Sequence, residues 1–147
     1  MSTVVLARLL RQHALDGTIT SLEHDADWVE LVTDLLRRES LHHIARIVHA
    51  PLEGAPPWYT RSALGQSPEA IDLLIIDGPP AFAPGHERRR APALEAFDDR
   101  LTADASVFLD DIDRSGEQQV LAERQQHLDW RFTIDTTAGI AHGTRQT

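Results

Sequence analysis

The sequence predicts an α/β fold: a mostly parallel sheet with helices on both faces, closed by a C-terminal antiparallel hairpin. Three observations carry this. Segments of strand length alternate with segments of helical period. Two strands, within "IDLLIIDGPP" and "ASVFLDDID", are continuous apolar runs, the pattern of strands buried on both faces. The tail alternates instead. Trp130, Phe132 and Ile134 interleave with Arg131, Thr133 and Asp135, as in an antiparallel strand with one wetter face.

Each element follows in order. Val4, Val5, Leu9 and Leu10 fall at helical spacing, which predicts a helix over Ser2 to Ala14, ended by the Asp16-Gly17 turn. Thr18 to Leu22 reads as a short strand. The next helix has Asp25 and Asp27 in its first turn and Arg37-Arg38 in its last, matching the helix dipole, with Trp28, Val32, Leu35 and Leu36 as its apolar stripe. "ARIVHAPL" is a second strand, stopped by Pro51. Residues 53–69 are rich in Gly, Pro and Ser and read as a long loop with one helical turn near Trp58-Tyr59. In "IDLLII" Ile71, Leu73, Leu74, Ile75 and Ile76 give the strongest strand signal. "AFAPGHERRRAP" is a polar loop. Pro92 opens a helix to about Leu101 with Leu94 and Phe97 inward. "ASVFLDDID" is the next strand, Ser115 and Gln118 form a capping-box pattern ahead of a helix to about Leu128, and a last strand starts near Ala138.

Length and composition bound the function. The chain has 147 residues, 41% of them hydrophobic, which suits one domain with a real core, spanning 1–147. A net charge of -9 argues against nucleic acid as a partner, since phosphates need a basic face. Cysteine is absent, which excludes disulfides, thiolate zinc sites and cysteine nucleophiles. All 14 residues of the Lys+Arg count are arginine, and lysine is absent. No apolar run reaches the ~18 residues of a membrane span, and Arg8 and Arg11 interrupt the N-terminal apolar pattern, so a cytoplasmic protein is expected.

Ligands of open α/β sheets bind at the carboxyl ends of the parallel strands. Three such ends carry acids: Glu23, Asp77, and Asp110-Asp111. Glu23 can accept from the neighbouring hydroxyls of a ribose, or cap the next helix. Asp77, Asp110 and Asp111 could form an all-oxygen site for magnesium or calcium; the alternatives are helix capping by Asp111 or Asp113 and turn bonds from Asp77. "GHERRR" reads as a solvated loop that could also meet an anionic substrate. Trp58-Tyr59 could line a substrate pocket or tuck onto the core.

"TSLEHDADWVE", "IDLLIIDGPP" and "VFLDDIDRSGE" together resemble class I S-adenosylmethionine-dependent methyltransferases, and among them small bacterial O-methyltransferases of the catechol O-methyltransferase group. The resemblance implies a Rossmann-like fold and methyl transfer to a hydroxyl of a small molecule, with metal assistance. It implies S-adenosylmethionine near Ser2, Thr3, Glu23, His24, Leu52, Asp77 and Gly78, with Glu23 on the ribose. It implies Asp77 as the catalytic group facing sulfonium and substrate, and Asp77, Asp110 and Asp111 as ligands of Mg2+. Pro51-Leu52 lack the acid the family often places by the adenine, and the lysine base of some members has no counterpart. A motif of the type "ELGSGxST" precedes the family's first helix; here only Ser2-Thr3 matches. The expectation is therefore a chain truncated within that motif. Without the first, central strand and glycine loop it would bind cofactor weakly and could be inactive. Two readings compete: a metal-dependent sugar-nucleotide glycosyltransferase, on the Asp111-Ile112-Asp113 pattern, and a non-catalytic remnant of the fold.

Overall fold

The computed structural model describes residues 2–146. These divide into two compact units, 1–67 and 68–147, and each is described by itself. In the first unit, α1 (Ser2–Gln12) is followed by β1 (Ile19–Glu23), α2 (Ala26–Arg38) and β2 (Ala45–His49). β1 and β2 pair in parallel from Ile19 opposite Ala45 to Glu23 opposite His49, with α2 as the crossover between them. The helices form because their apolar positions recur on one side. Val4 and Ala7 of α1 and Val32 and Leu36 of α2 meet Leu41 and Ala45 in one buried cluster. Trp28, read as part of that stripe, is 38% exposed. Asp25 starts α2 as its N-cap, accepting from the N–H groups of Asp27 at 3.0 Å and Trp28 at 3.1 Å.

Residues 53–69 are not one loop. Leu52–Glu53 (β3) and Trp58–Tyr59 (β4) pair as a short antiparallel hairpin, and the helical turn follows it as α3 (Arg61–Leu64). Tyr59 and Ala63 join Val48 and Ala50 in a second buried cluster, with Leu22, Leu52 and Trp58 packed against it. The aromatic pair therefore belongs to the core; extended backbone lets both rings reach it.

The second unit is a sheet in the order β5-β6-β8-β7, with β5 (Ile71–Ile76), β6 (Leu101–Leu109), β7 (Trp130–Asp135) and β8 (Ile140–Arg145). β5 and β6 are parallel; β6–β8 and β7–β8 are antiparallel, so the predicted C-terminal hairpin is present. The helix from Pro92 stops earlier than its sequence suggests: α4 is Ala93–Phe97, a 3-10 turn takes 98–100, and Leu101 already opens β6. Leu101, Ala105, Val107 and Leu109 then alternate into the core, and that burial outweighs further helix. α5 (Ser115–His127) buries Gly116, Glu117, Val120 and Leu121. No side chain caps its start, so the capping-box pattern does not act as one.

Two features fix the hairpin. Trp130 is fully buried, and its Nε1 donates to Asp98 Oδ1 at 2.9 Å. Gly143 is required opposite Phe132, because a Cβ there would lie 2.4 Å from the ring. β5 departs from expectation. Its apolar run suggests burial on both faces, yet Leu73 is 50% and Ile75 42% exposed. Among the described residues, β5 pairs with β6 on one side only.

Candidate functional site

In the first unit Glu23 and His49 stand at the carboxyl ends of β1 and β2. Glu23 ends β1, its side chain about one quarter exposed. Its Oε1 accepts from the Asp25 N–H at 2.9 Å and lies 2.8 Å from His24 Nδ1. Both of these contacts are made by Oε1. His49, opposite Glu23 in the register, lies with Nε2 3.2 Å from the His24 carbonyl oxygen, which braces the bend after β1. Thr3 is buried, and its hydroxyl shares a 2.8 Å hydrogen bond with Ser21. It ties α1 to β1, while Ser2 is exposed at the start of the helix. Leu52 is half-buried against the second apolar cluster.

In the second unit Asp77 and Gly78 follow β5, and Asp110 and Asp111 follow β6. Parallel pairing of Ile76 with Leu109 puts both ends at one edge, and the Asp110 N–H donates to the Ile76 carbonyl at 3.1 Å. One carboxylate oxygen from each of Asp77, Asp110 and Asp111 lies within 4.8 Å of the others. Asp111 holds this position at a φ of 61°, a left-handed conformation that aspartate tolerates better than most residues. Partial burial pushes the Asp77 carboxyl above its usual range, the neighbouring Asp110 adds to this, and Arg90 opposes it.

The residue that organises this edge is Arg90. "GHERRR" reads as solvated, and Arg88 fits that, pairing with Glu123 on the surface. Arg90 does not: it is 4% exposed. Its guanidinium donates to the carbonyls of Asp77 at 2.6 Å, Pro79 at 3.1 Å and Asp110 at 3.4 Å, and to Asp111 Oδ2 at 3.0 Å. Arg114 Nη1 reaches the same Asp111 oxygen at 2.7 Å. Behind Arg90, 3.5 Å away, lies Glu117, 1% exposed, with neither carboxylate oxygen hydrogen-bonded among the described residues. Burial is the main cause that pushes its carboxyl upward; Arg90 opposes it. Sequence reasoning missed both residues. Three consecutive arginines carry no period that says which one turns inward, and Glu117 looks like an ordinary first-turn acid.

A cavity of about 20 Å³ beside Arg90, lined by Ile76, Leu94, Leu109, Val120 and Phe132, has room for about one water and not for a substrate.

Strand-end acids on an α/β fold define the class as one that meets its ligands at the carboxyl ends of parallel strands. The particular family is shown by its model: the chain belongs to the methyltransferase domain family, whose model matches residues 1–112. Solved structures share the fold at low identity. The S-adenosylhomocysteine-bound methyltransferase PaMTH1 of Podospora anserina is 9% identical, with a TM-score of 0.73 over 97% of this chain and 67% of that one. A Geobacter sulfurreducens methyltransferase is 16% identical, with a TM-score of 0.58 over 88% of this chain and 59% of that one. A Staphylococcus aureus protein provisionally assigned as a caffeoyl-CoA O-methyltransferase is 13% identical, with a TM-score of 0.58 over 98% of this chain and 82% of that one. The chain thus spans 59% of the Geobacter protein's length and 67% of the Podospora protein's. No curated protein sequence matches it. Among the described residues, no helix is long and apolar enough to cross a membrane.

Proposed function

We propose that residues 1–147 act as one S-adenosylmethionine-dependent methyltransferase domain that methylates a hydroxyl of a small molecule. The family match supports the reaction class. The observation that carries the cofactor reading is Glu23. Its Oε1 accepts from the Asp25 N–H, and its Oε2 would accept from a ribose hydroxyl. His24 and Leu52 complete the proposed cofactor contacts in this unit, and Ser2 and Thr3 stand where the family's loop meets the first helix.

The cofactor, when bound, supplies a methyl group on a sulfonium. In the proposed reaction the substrate oxygen forms the new C–O bond as the C–S bond breaks. Asp77 accepts the proton the hydroxyl gives up. Its raised carboxyl is shifted in the direction that suits a base at neutral pH. Gly78, directly after it, leaves the backbone unencumbered by a side chain. Positioning supplies most of the remaining acceleration.

Mg2+ at Asp77, Asp110 and Asp111 is the second reading, favoured by the close approach of their oxygens. The donor chemistry suits a hard cation, but the Asp111 oxygen is already shared by two guanidinium groups. That arrangement does not fit a divalent ion well, so no step is routed through one.

Isothermal calorimetry and amide chemical-shift titration with S-adenosylhomocysteine test the cofactor reading. We expect saturable binding by millimolar ligand, with shifts at the Glu23, His24 and Leu52 amides. Glu23→Gln should weaken binding ~10-fold or more, the scale of one hydrogen bond to a charged group. Absence of any shift at millimolar ligand would refute cofactor binding, and an unchanged affinity in Glu23→Gln would refute the role of Glu23.

A further inference from the structure

We propose that Arg90 is the resident cation of the Asp77–Asp110–Asp111 cluster, so that these strand-end acids take no divalent metal ion. The proposal deepens the methyltransferase reading and rests on it only because that resemblance implies a metal here.

The groups a hard cation would use are turned toward Arg90. Oxygen ligands for such an ion are carboxylates and backbone carbonyls. At this edge the carbonyls of Asp77, Pro79 and Asp110 all accept from the Arg90 guanidinium, and so does Asp111 Oδ2. Asp77 Oδ1 lies 3.9 Å from the same guanidinium. Asp110 Oδ1 is also engaged, accepting the Asp111 N–H at 2.9 Å.

Charge leads to the same result. Three carboxylates face two guanidinium groups, Arg90 and Arg114, which leaves a formal charge of about -1 in place of -3. A divalent ion entering the cluster would meet two positive groups that already share one of its ligand oxygens. At separations of a few ångströms this repulsion is large even with generous screening. Arg90 cannot swing aside at low cost, because it is enclosed and bonded to both strand ends. A planar group with five donors is suited to bridging several oxygens at fixed positions, which a hydrated ion would do only by displacing it. Activation of a substrate hydroxyl then falls to Asp77, the most exposed of the three acids.

Binding of Mn2+ to the full chain, followed by electron paramagnetic resonance and calorimetry without cofactor, tests this. The wild type should bind Mn2+ only at about 1 mM or weaker. Arg90→Met combined with Glu117→Leu replaces the buried guanidinium and the buried carboxyl together by apolar groups of similar size, a change such sites tolerate. It should bind Mn2+ at least ~10-fold more tightly. Arg114→Gln alters a partly exposed residue and should tighten binding about threefold. Circular dichroism establishes that each variant is folded, and if the double variant is not, Arg114→Gln decides together with the wild type. Micromolar binding by the wild type overturns the proposal, and so does a folded variant that binds no more tightly. Because no cofactor is present, either result is separate from the S-adenosylhomocysteine titration.

Discussion

The acid ending β1 and the acids ending β5 and β6 sit at equivalent points of their strands and are held by different means. Glu23 is held by a neighbouring backbone N–H and a ring nitrogen, both within two residues of it in sequence. Asp77, Asp110 and Asp111 are organised by Arg90, which lies 20 residues before Asp110 in the chain and is almost fully enclosed. At Glu23 both contacts are made by one carboxylate oxygen. A buried guanidinium instead draws carbonyls and carboxylates inward. Equal acids at equal positions are therefore held differently: by neighbours in sequence in one case and by a buried guanidinium distant in sequence in the other.

The sharpest way to break this contrast is to remove the buried cation alone. Arg90→Met leaves the Asp77–Asp110–Asp111 carboxylates without their enclosed counter-charge and three carbonyls without their donor. Loss of one member of a buried charge network costs about 3–5 kcal/mol. We expect that loss in urea unfolding of Arg90→Met, with only part of it recovered when Glu117→Leu is added, because the three carbonyls stay unpaired. A loss below about 1 kcal/mol would mean that the β5 and β6 ends hold their geometry without Arg90.

The first unit should respond far less to side-chain removal. Asp25→Ala deletes the N-cap of α2, worth about 1 kcal/mol, yet keeps the residue-25 N–H that donates to Glu23. Thermal melts should show the small loss. Titration with S-adenosylhomocysteine should show affinity unchanged within about twofold. A larger drop in affinity would show that the β1 end also depends on more than its immediate backbone.

The same contrast explains what could be read from sequence. The three acid-bearing strand ends, the parallel pairs and the C-terminal hairpin were legible, because apolar runs and period-two alternation are local signals. The β3–β4 hairpin was not: Trp58 and Tyr59 are anchored by contacts with the cluster around Val48 and Ala50, which no local pattern encodes. Arg90 was hidden for a related reason. Its place is set by carbonyls 11 and 13 residues before it and by a carboxylate 21 residues after it, while its neighbours Arg88 and Arg89 look identical. Nor does an apolar run say what covers a strand. Val107 in β6 is wholly buried between two neighbouring strands, whereas Leu73 and Ile75 in β5 are exposed in an equally apolar stretch.

The smallest expected effect concerns Glu117. Burial holds its carboxyl above the ordinary glutamate range, so the folded chain retains a proton there that the unfolded chain has already released. Stability attributable to this group then falls as pH rises from the ordinary value through the raised one, because the folded state binds more protons in that window. Glu117→Gln keeps the shape and removes the titration. Asp77 is also raised, and the exposed Glu39, Glu87 and Glu123 are lowered by their hydrogen bonds; all four are common to both proteins and cancel in the difference. Urea unfolding of the two proteins from about pH 5 to about pH 8 should show Glu117→Gln gaining relative to the wild type as pH rises. A difference independent of pH would mean that Glu117 is ionised throughout and paired with Arg90. Arg90 would then be shared between Glu117 and the acid cluster, and the contrast between the two strand ends would shrink accordingly.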